Sequence, residues 1–275
     1  MPLSPTQTRN LLDSLDHRPR KQLGQNFLID GNIVRKSIEL ASLESGGTVV
    51  EIGPGLGTLS EAVLEAGCTV HAVELDPVLS GHLQATVAAR FPDSFKLVEG
   101  DAVKHPRADI PTTISEFKVV ANLPYAITTP WIEAMLEDPL PSDMVLMMQK
   151  EAADRITANP GSKSFGAISI FVNAAYRRAG VHAVSRSCFY PVPGVDSQLL
   201  HLAVRDDPVL FSKPAKNLIR SVFTKRRKQI GNLLQKHEQA SRWLDMLGDF
   251  DCKTTDRAES IPVEAWIALN SLLQE

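Results

Sequence analysis

The stretch Thr48-Val49-Val50-Glu51-Ile52-Gly53-Pro54-Gly55-Leu56-Gly57-Thr58 decides the fold. Its first half is short, apolar and β-branched and stops at a glycine, which is the pattern of a buried strand. Its second half carries glycines at positions 1, 3 and 5 and runs into residues 59–66, whose apolar spacing is helical. Working outward, residues 69–76, 96–102, 117–123 and 143–149 repeat the strand pattern, and residues 78–90, 131–137 and 150–158 the helical one. Strand and helix therefore alternate, which requires a mostly parallel, doubly wound α/β sheet with helices on both faces. Residues 181–185 and 198–204 are two further strand candidates flanking a proline-rich loop, and a hairpin there would close the sheet. Beyond Arg205 the pattern turns helical, with candidates at 211–223, 226–237, 242–247 and 263–273. The expected organisation is a flexible N-terminal tail over 1–17, a catalytic domain over 18–205 and a small all-helical domain over 206–275.

The glycine loop narrows the ligand. A dinucleotide fingerprint places its glycines at 1, 3 and 6, but here position 6 is Thr58. With Glu51 two residues before the first glycine and no lysine to hold a phosphate, an adenosyl ligand without a pyrophosphate fits better than a nucleotide. Glu74 ends the next strand and suits the two hydroxyls of a ribose, while Asp101, in Gly100-Asp101-Ala102, is placed to accept an adenine amino hydrogen. Gly53 and Gly55 let the backbone come close to such a ligand.

Asn122-Leu123-Pro124-Tyr125 ends the fourth strand. The exocyclic amine of a base is a poor nucleophile because its lone pair is delocalised into the ring. The Asn122 side-chain oxygen and the Leu123 carbonyl can accept its two hydrogens and turn the lone pair toward a methyl donor. Pro124 fixes the turn, and Tyr125 offers a stacking face for an extruded base.

These strings, with Lys21-Gln22-Leu23-Gly24-Gln25-Asn26-Phe27-Leu28, Glu74-Leu75-Asp76, Gln149-Lys150-Glu151, Phe189-Tyr190-Pro191-Val192-Pro193 and Val195-Asp196-Ser197, resemble the ribosomal small-subunit (16S) RNA adenine dimethyltransferases of the KsgA type. The resemblance implies a Rossmann-like catalytic domain that uses S-adenosylmethionine to dimethylate two adjacent adenosines near the 3′ end of that RNA. It implies that Asn26, Leu28, Gly53, Glu74, Asp101 and Asn122 contact the donor and that Tyr125 and Phe189 hold the target base between them. Three positions depart from the pattern: Ala126 stands where Asn is expected, Gly194 where Lys is common, and Phe165-Gly166 where Tyr-Gly is usual. The rival readings are a large-subunit ribosomal RNA adenine methyltransferase, a DNA adenine methyltransferase, against which the lack of a target-recognition insertion between the motifs counts, and an assembly factor whose binding outweighs its catalysis.

Charge points the same way. The 275 residues hold 29 basic and 32 acidic side chains, yet residues 208–237 hold eight basic and no acidic ones. Segregation of that kind orients a polyanion, and Lys225, Arg226, Arg227 and Lys228, on an expected arginine-rich helix, are the RNA-binding candidates. A solvated helix face is the alternative. Residues 1–20 hold no apolar signal core, and no apolar run approaches the roughly 18 residues of a membrane span. A cytoplasmic monomer acting on small-subunit ribosomal RNA or an immature small subunit, without membrane contact, is expected. Cys68, Cys188 and Cys252 lie far apart without ligand spacing, so no metal is expected and all three are expected to be packing residues.

Overall fold

The computed structural model describes residues 3–274, apart from the side chains of Lys21 and Glu238. In chain order the elements are α1 (Pro5–Ser14), β1 (Phe27–Leu28), α2 (Gly31–Ala41), β2 (Thr48–Ile52), α3 (Thr58–Glu65), β3 (Thr69–Glu74) and α4 (Pro77–Leu83). Then come β4 (Phe95–Glu99), β5 (Lys118–Asn122), α5 (Thr128–Met135), β6 (Asp143–Gln149), α6 (Lys150–Ile156), α7 (Ala167–Ala175), β7 (Tyr176–Val184), β8 (Phe189–Tyr190) and β9 (Ser197–Val204). The last four are α8 (Lys213–Phe223), α9 (Ile230–Leu234), α10 (Glu238–Asp245) and α11 (Val263–Leu272).

Seven strands form one sheet in the order β4-β3-β2-β5-β6-β9-β7, and β1 pairs with β8 in a separate two-stranded sheet. The pairs β2/β3, β3/β4, β2/β5 and β5/β6 are parallel, while β9 runs antiparallel to β6. The order reverses between β2 and β5, which opens a crevice beyond the carboxyl ends of these strands, the place where open α/β sheets take ligands. Val49, Val70, Ala72, Val120 and Val145 of the sheet pack with Ile33 and Val34 of α2 and Val63 and Leu64 of α3 in one buried cluster. That packing fixes the strand ends, and with them the site residues that those ends carry.

The chain divides into two compact units, Met1–Ala153 with Arg178–Val204, and Asp154–Arg177 with Arg205–Glu275. The helical unit thus takes in residues 154–177 as well as the segment expected after 205. α7 accounts for this: seven of its nine residues are buried, and Phe171 stacks on Phe211 with centroids 5.2 Å apart. Phe223, Trp266 and Trp243 continue the same aromatic core.

Two other expectations are corrected. The expected 1–17 tail contains a helix, α1, closed at its start by a capping box between Ser4 and Gln7 and holding Leu12 in a cluster with Phe27 and Leu79; Met1 and Pro2 lie outside the described residues. Residues 224–228, expected in a helix, form a turn between α8 and α9, because Gln229 bridges to Arg257 and α9 starts only at Ile230.

Candidate functional site

The crevice is a cleft with about 1060 Å³ of space, part of it open to solvent. Its floor comes from the ends of β2 to β5, and one wall from residues 22–28. Asn26, Leu28, Gly53, Gly55, Glu74, Asp101, Asn122 and Pro124, all singled out from sequence, line it together.

Gly53 and Gly55 adopt φ of +64° and +61°, where a side chain strains the backbone. A Cβ on Gly53 would stand 3.2 Å from Cγ of Pro124, and one on Gly55 3.2 Å from the Phe27 ring. Glycine at both positions thus lets the loop pack closely against Pro124 and Phe27, which line the cleft with it.

Glu74, at the end of β3, is bonded directly to this loop. Its Oε2 accepts the Gly55 N–H at 3.0 Å and its Oε1 the Asp76 N–H at 2.9 Å, so each oxygen is oriented and keeps a lone pair. Burial raises its pKa, against the pull of the two amides. Glu51, only 2% exposed, is pushed up to about 8, mainly by burial and further by the charge of Glu74, although a 2.6 Å bond from Ser60 opposes this. A buried carboxyl held neutral near pH 7, with a second buried carboxyl beside it, suits a ligand that offers ribose hydroxyls better than an anionic one. Asp101 holds its own loop with Oδ1, which accepts the Val103 N–H at 2.9 Å. The residues present therefore fit an adenosyl donor such as S-adenosylmethionine.

At the end of β5 the Asn122 Nδ2 donates to the Asn26 carbonyl at 3.0 Å. A carbonyl can only accept, so the nitrogen end of the amide is the one held and Oδ1 remains for the cleft. Leu123 turns its side chain into the core, where it is 1% exposed, and its N–H donates to the Met147 carbonyl at 2.9 Å. Tyr125, half-buried, is tied through its hydroxyl to the Ser197 hydroxyl at 2.8 Å, and burial raises its pKa.

Phe189 departs from expectation. It is 1% exposed, pairs with Leu28 across β1/β8 and belongs to the sheet's core cluster, so it offers no face to a base in this structure. Ser197, Phe27 and Gln25 were not singled out, yet they anchor Tyr125, back Gly55 and line the wall respectively. All three stand within quoted motifs, but a motif does not say which neighbour a side chain meets.

In the helical unit Lys225, Arg227 and Lys228 are exposed on the turn. Arg226 is not equivalent to them: it pairs with Glu259 at 2.8 Å and donates to the Lys163 carbonyl at 2.9 Å. The four basic residues thus divide into three available charges and one that fastens the turn.

Among the described residues no helix is long and apolar enough to cross a membrane. A family model described as ribosomal RNA adenine dimethylase matches residues 16–275. The ribosomal RNA small subunit methyltransferase A of Opitutus terrae is 57% identical over 272 residues, 98% of each chain. The protein of that name from Streptomyces coelicolor is 42% identical over 83% of this chain and 81% of its own. Among solved structures, a dimethyladenosine transferase from Plasmodium falciparum is 25% identical with a TM-score of 0.72, covering 88% of this chain and 95% of that one. The 23S rRNA methyltransferase ErmE is 25% identical with a TM-score of 0.65, covering 91% and 100%.

Proposed function

Since the chain belongs to the ribosomal RNA adenine dimethylase family, we propose that its cleft carries out methyl transfer from S-adenosylmethionine to the N6 amine of two adjacent adenosines near the 3′ end of small-subunit ribosomal RNA. The observation that carries the mechanism is the Asn122 amide, held by its nitrogen so that its oxygen is left for the cleft. S-adenosylmethionine supplies an activated methyl group. Glu74 takes the ribose hydroxyls of the donor, Asp101 its adenine amino group, and the backbone at Gly53 and Gly55 approaches it closely, with Asn26 and Leu28 on the opposite wall.

Asn122 Oδ1 and the Leu123 carbonyl accept the two hydrogens of the target amine. That pulls the nitrogen out of conjugation with the ring and aims its lone pair at the methyl group. No strong base is needed: as the N–C bond forms, the S–C bond of the sulfonium would break and leave the neutral thioether S-adenosylhomocysteine. The methylated nitrogen, now acidic, would give its proton to solvent. Tyr125, steadied by Ser197, covers the base from one face. Lys225, Arg227 and Lys228 contact phosphates, which position RNA without reading its sequence.

The 57% identity to a small-subunit enzyme, against 25% to ErmE, favours the small subunit over the large one. The same reading takes the substrate as RNA within an immature small subunit and the enzyme as a cytoplasmic monomer. Asn122→Ala tests the mechanism: turnover falls on the order of a hundredfold or more, as when a preorganised polar group is lost, while RNA affinity is nearly unchanged. Wild-type turnover in that variant would remove Asn122 from the reaction. Mass spectrometry of digested small- and large-subunit RNA treated with the enzyme locates the modified nucleotides.

A further inference from the structure

We infer that Gln25 is a positioning residue for the transfer: its side-chain amide fastens the wall segment 24–26 to the buried Asp76 and His17, and so holds the Asn26 carbonyl where it orients Asn122. The inference rests on the reading of Asn122 given above.

Three polar contacts meet at this one amide. Gln25 Nε2 donates to Asp76 Oδ2 at 3.1 Å. Gln25 Oε1 accepts the Arg20 N–H at 2.7 Å and faces His17 Nε2 at 3.1 Å. Oε1 carries no hydrogen, so that nitrogen of His17 carries one. The Asp76 side chain is 0% exposed and that of His17 2%, which makes the junction costly to leave half-satisfied. Only an amide serves here, since the position needs a donor toward a carboxylate and an acceptor toward two N–H groups at once. Glutamate would set two carboxylates together, and lysine would present only donors.

The neighbours of Gln25 touch the reaction site. Gly24 sits at φ +65°, and a Cβ there would lie 3.1 Å from the Tyr125 nitrogen, so its backbone rests on Pro124-Tyr125. Asn26 closes the turn by donating from Nδ2 to the Gly24 carbonyl at 3.1 Å, while its own carbonyl accepts from Asn122. Asp76 adds a link to the donor side, because its N–H holds Glu74 and its Oδ1 caps α4 through Val78. Fixing Gln25 therefore fixes the carbonyl that decides which end of the Asn122 amide faces the substrate.

The test compares wild type, Gln25→Met, Asn122→Ala and the double variant for turnover, donor dissociation constant and circular dichroism. Methionine keeps length and volume but removes both polar ends. Turnover of Gln25→Met is expected to fall on the order of tenfold, with donor affinity changed less than about threefold. In the Asn122→Ala background the same change is expected to cost less than about twofold, since groups that act through one another do not add. Full additivity, unaltered turnover, or a loss matched by weaker donor binding overturns the inference. Wild-type turnover of Asn122→Ala alone would instead sink the reading of Asn122 itself.

Should Gln25→Met fail to fold, Gln25→Glu keeps the shape and the acceptor but turns the donor into an acceptor facing Asp76. Its turnover is expected to be low and to recover partly on acidification. A proton shared between the two carboxyls, with Arg20, His17 and Glu74 around them, restores the missing bond. Wild-type turnover of Gln25→Glu at every pH overturns the inference as well.

Discussion

Glu51 shows how a single side chain sets a property of the whole fold. Its pKa stands near 8 in the folded protein because it is buried, against an ordinary value of 4.5. Between these two values the unfolded chain has released the proton and the folded one retains it. The unfolded state therefore binds fewer protons, and stability falls as pH rises from about 4.5 to 8, at a slope of at most about 1.4 kcal/mol per pH unit. Glu51→Gln keeps an acceptor for Ser60 and removes the titration. Urea denaturation should show the variant gaining on wild type as pH goes from 5.5 to 8. Parallel stability curves would mean that Glu51 is not held protonated. At this scale the sequence was informative wherever a residue's role follows from its place at a strand end: the glycine loop, Glu74, Asp101 and Asn122 all reach the cleft. It was uninformative where two adjacent residues compete for one inward position. In the two-residue strand β8 alternation sends one aromatic in and one out, and Phe189 is the one buried, whereas Tyr190 is left half-buried beside Arg9, its hydroxyl 3.2 Å from Nε.

Whole elements were legible in proportion to their pattern. The five strands β2 to β6 fall within a few residues of the expected segments, because each is a short apolar run bounded by turn residues. α7 carries no such signal, since an evenly apolar run of nine residues has no period that separates helix from strand. α1 fails for the opposite reason: among its ten residues only Thr8 and Leu12 are buried, too thin a stripe to stand out in a polar segment. Its start was nonetheless readable, as Ser4 followed by Gln7 is the spacing of a capping box. The burial of Leu12 against Phe27 and Leu79 gives this helix a structural consequence. Leu12→Ala opens a cavity beside the Phe27 wall and should cost about 2–5 kcal/mol of stability. The donor dissociation constant should rise as well, because Phe27 backs Gly55. A loss below about 0.5 kcal/mol in chemical denaturation would return residues 3–14 to the status of a tail.

At the scale of the molecule, 29 basic and 32 acidic side chains nearly cancel, so long-range attraction to RNA has to come from where the charges lie and not from their total. The eight basic residues of 208–237, without an acidic one among them, supply that attraction, but they are not equivalent. Arg226 spends its guanidinium on Glu259 and on the Lys163 carbonyl, so replacing it would disturb the turn and confuse loss of charge with loss of structure. Lys225, Arg227 and Lys228 are exposed on the same turn and can be neutralised with Arg226 left in place. For single-stranded RNA, every phosphate that the protein ceases to neutralise takes about 0.7 off the slope of log affinity against log salt, so the triple neutralisation should flatten that slope by roughly two. Donor binding and thermal stability should be unchanged, since none of the three side chains belongs to the cleft. Measuring RNA affinity of the triple variant and wild type at several salt concentrations decides the matter. A slope equal to that of wild type would reduce the turn to a solvated surface and move the phosphate contacts to other basic residues, with Arg18, in the segment leading to the cleft wall, the first to be substituted.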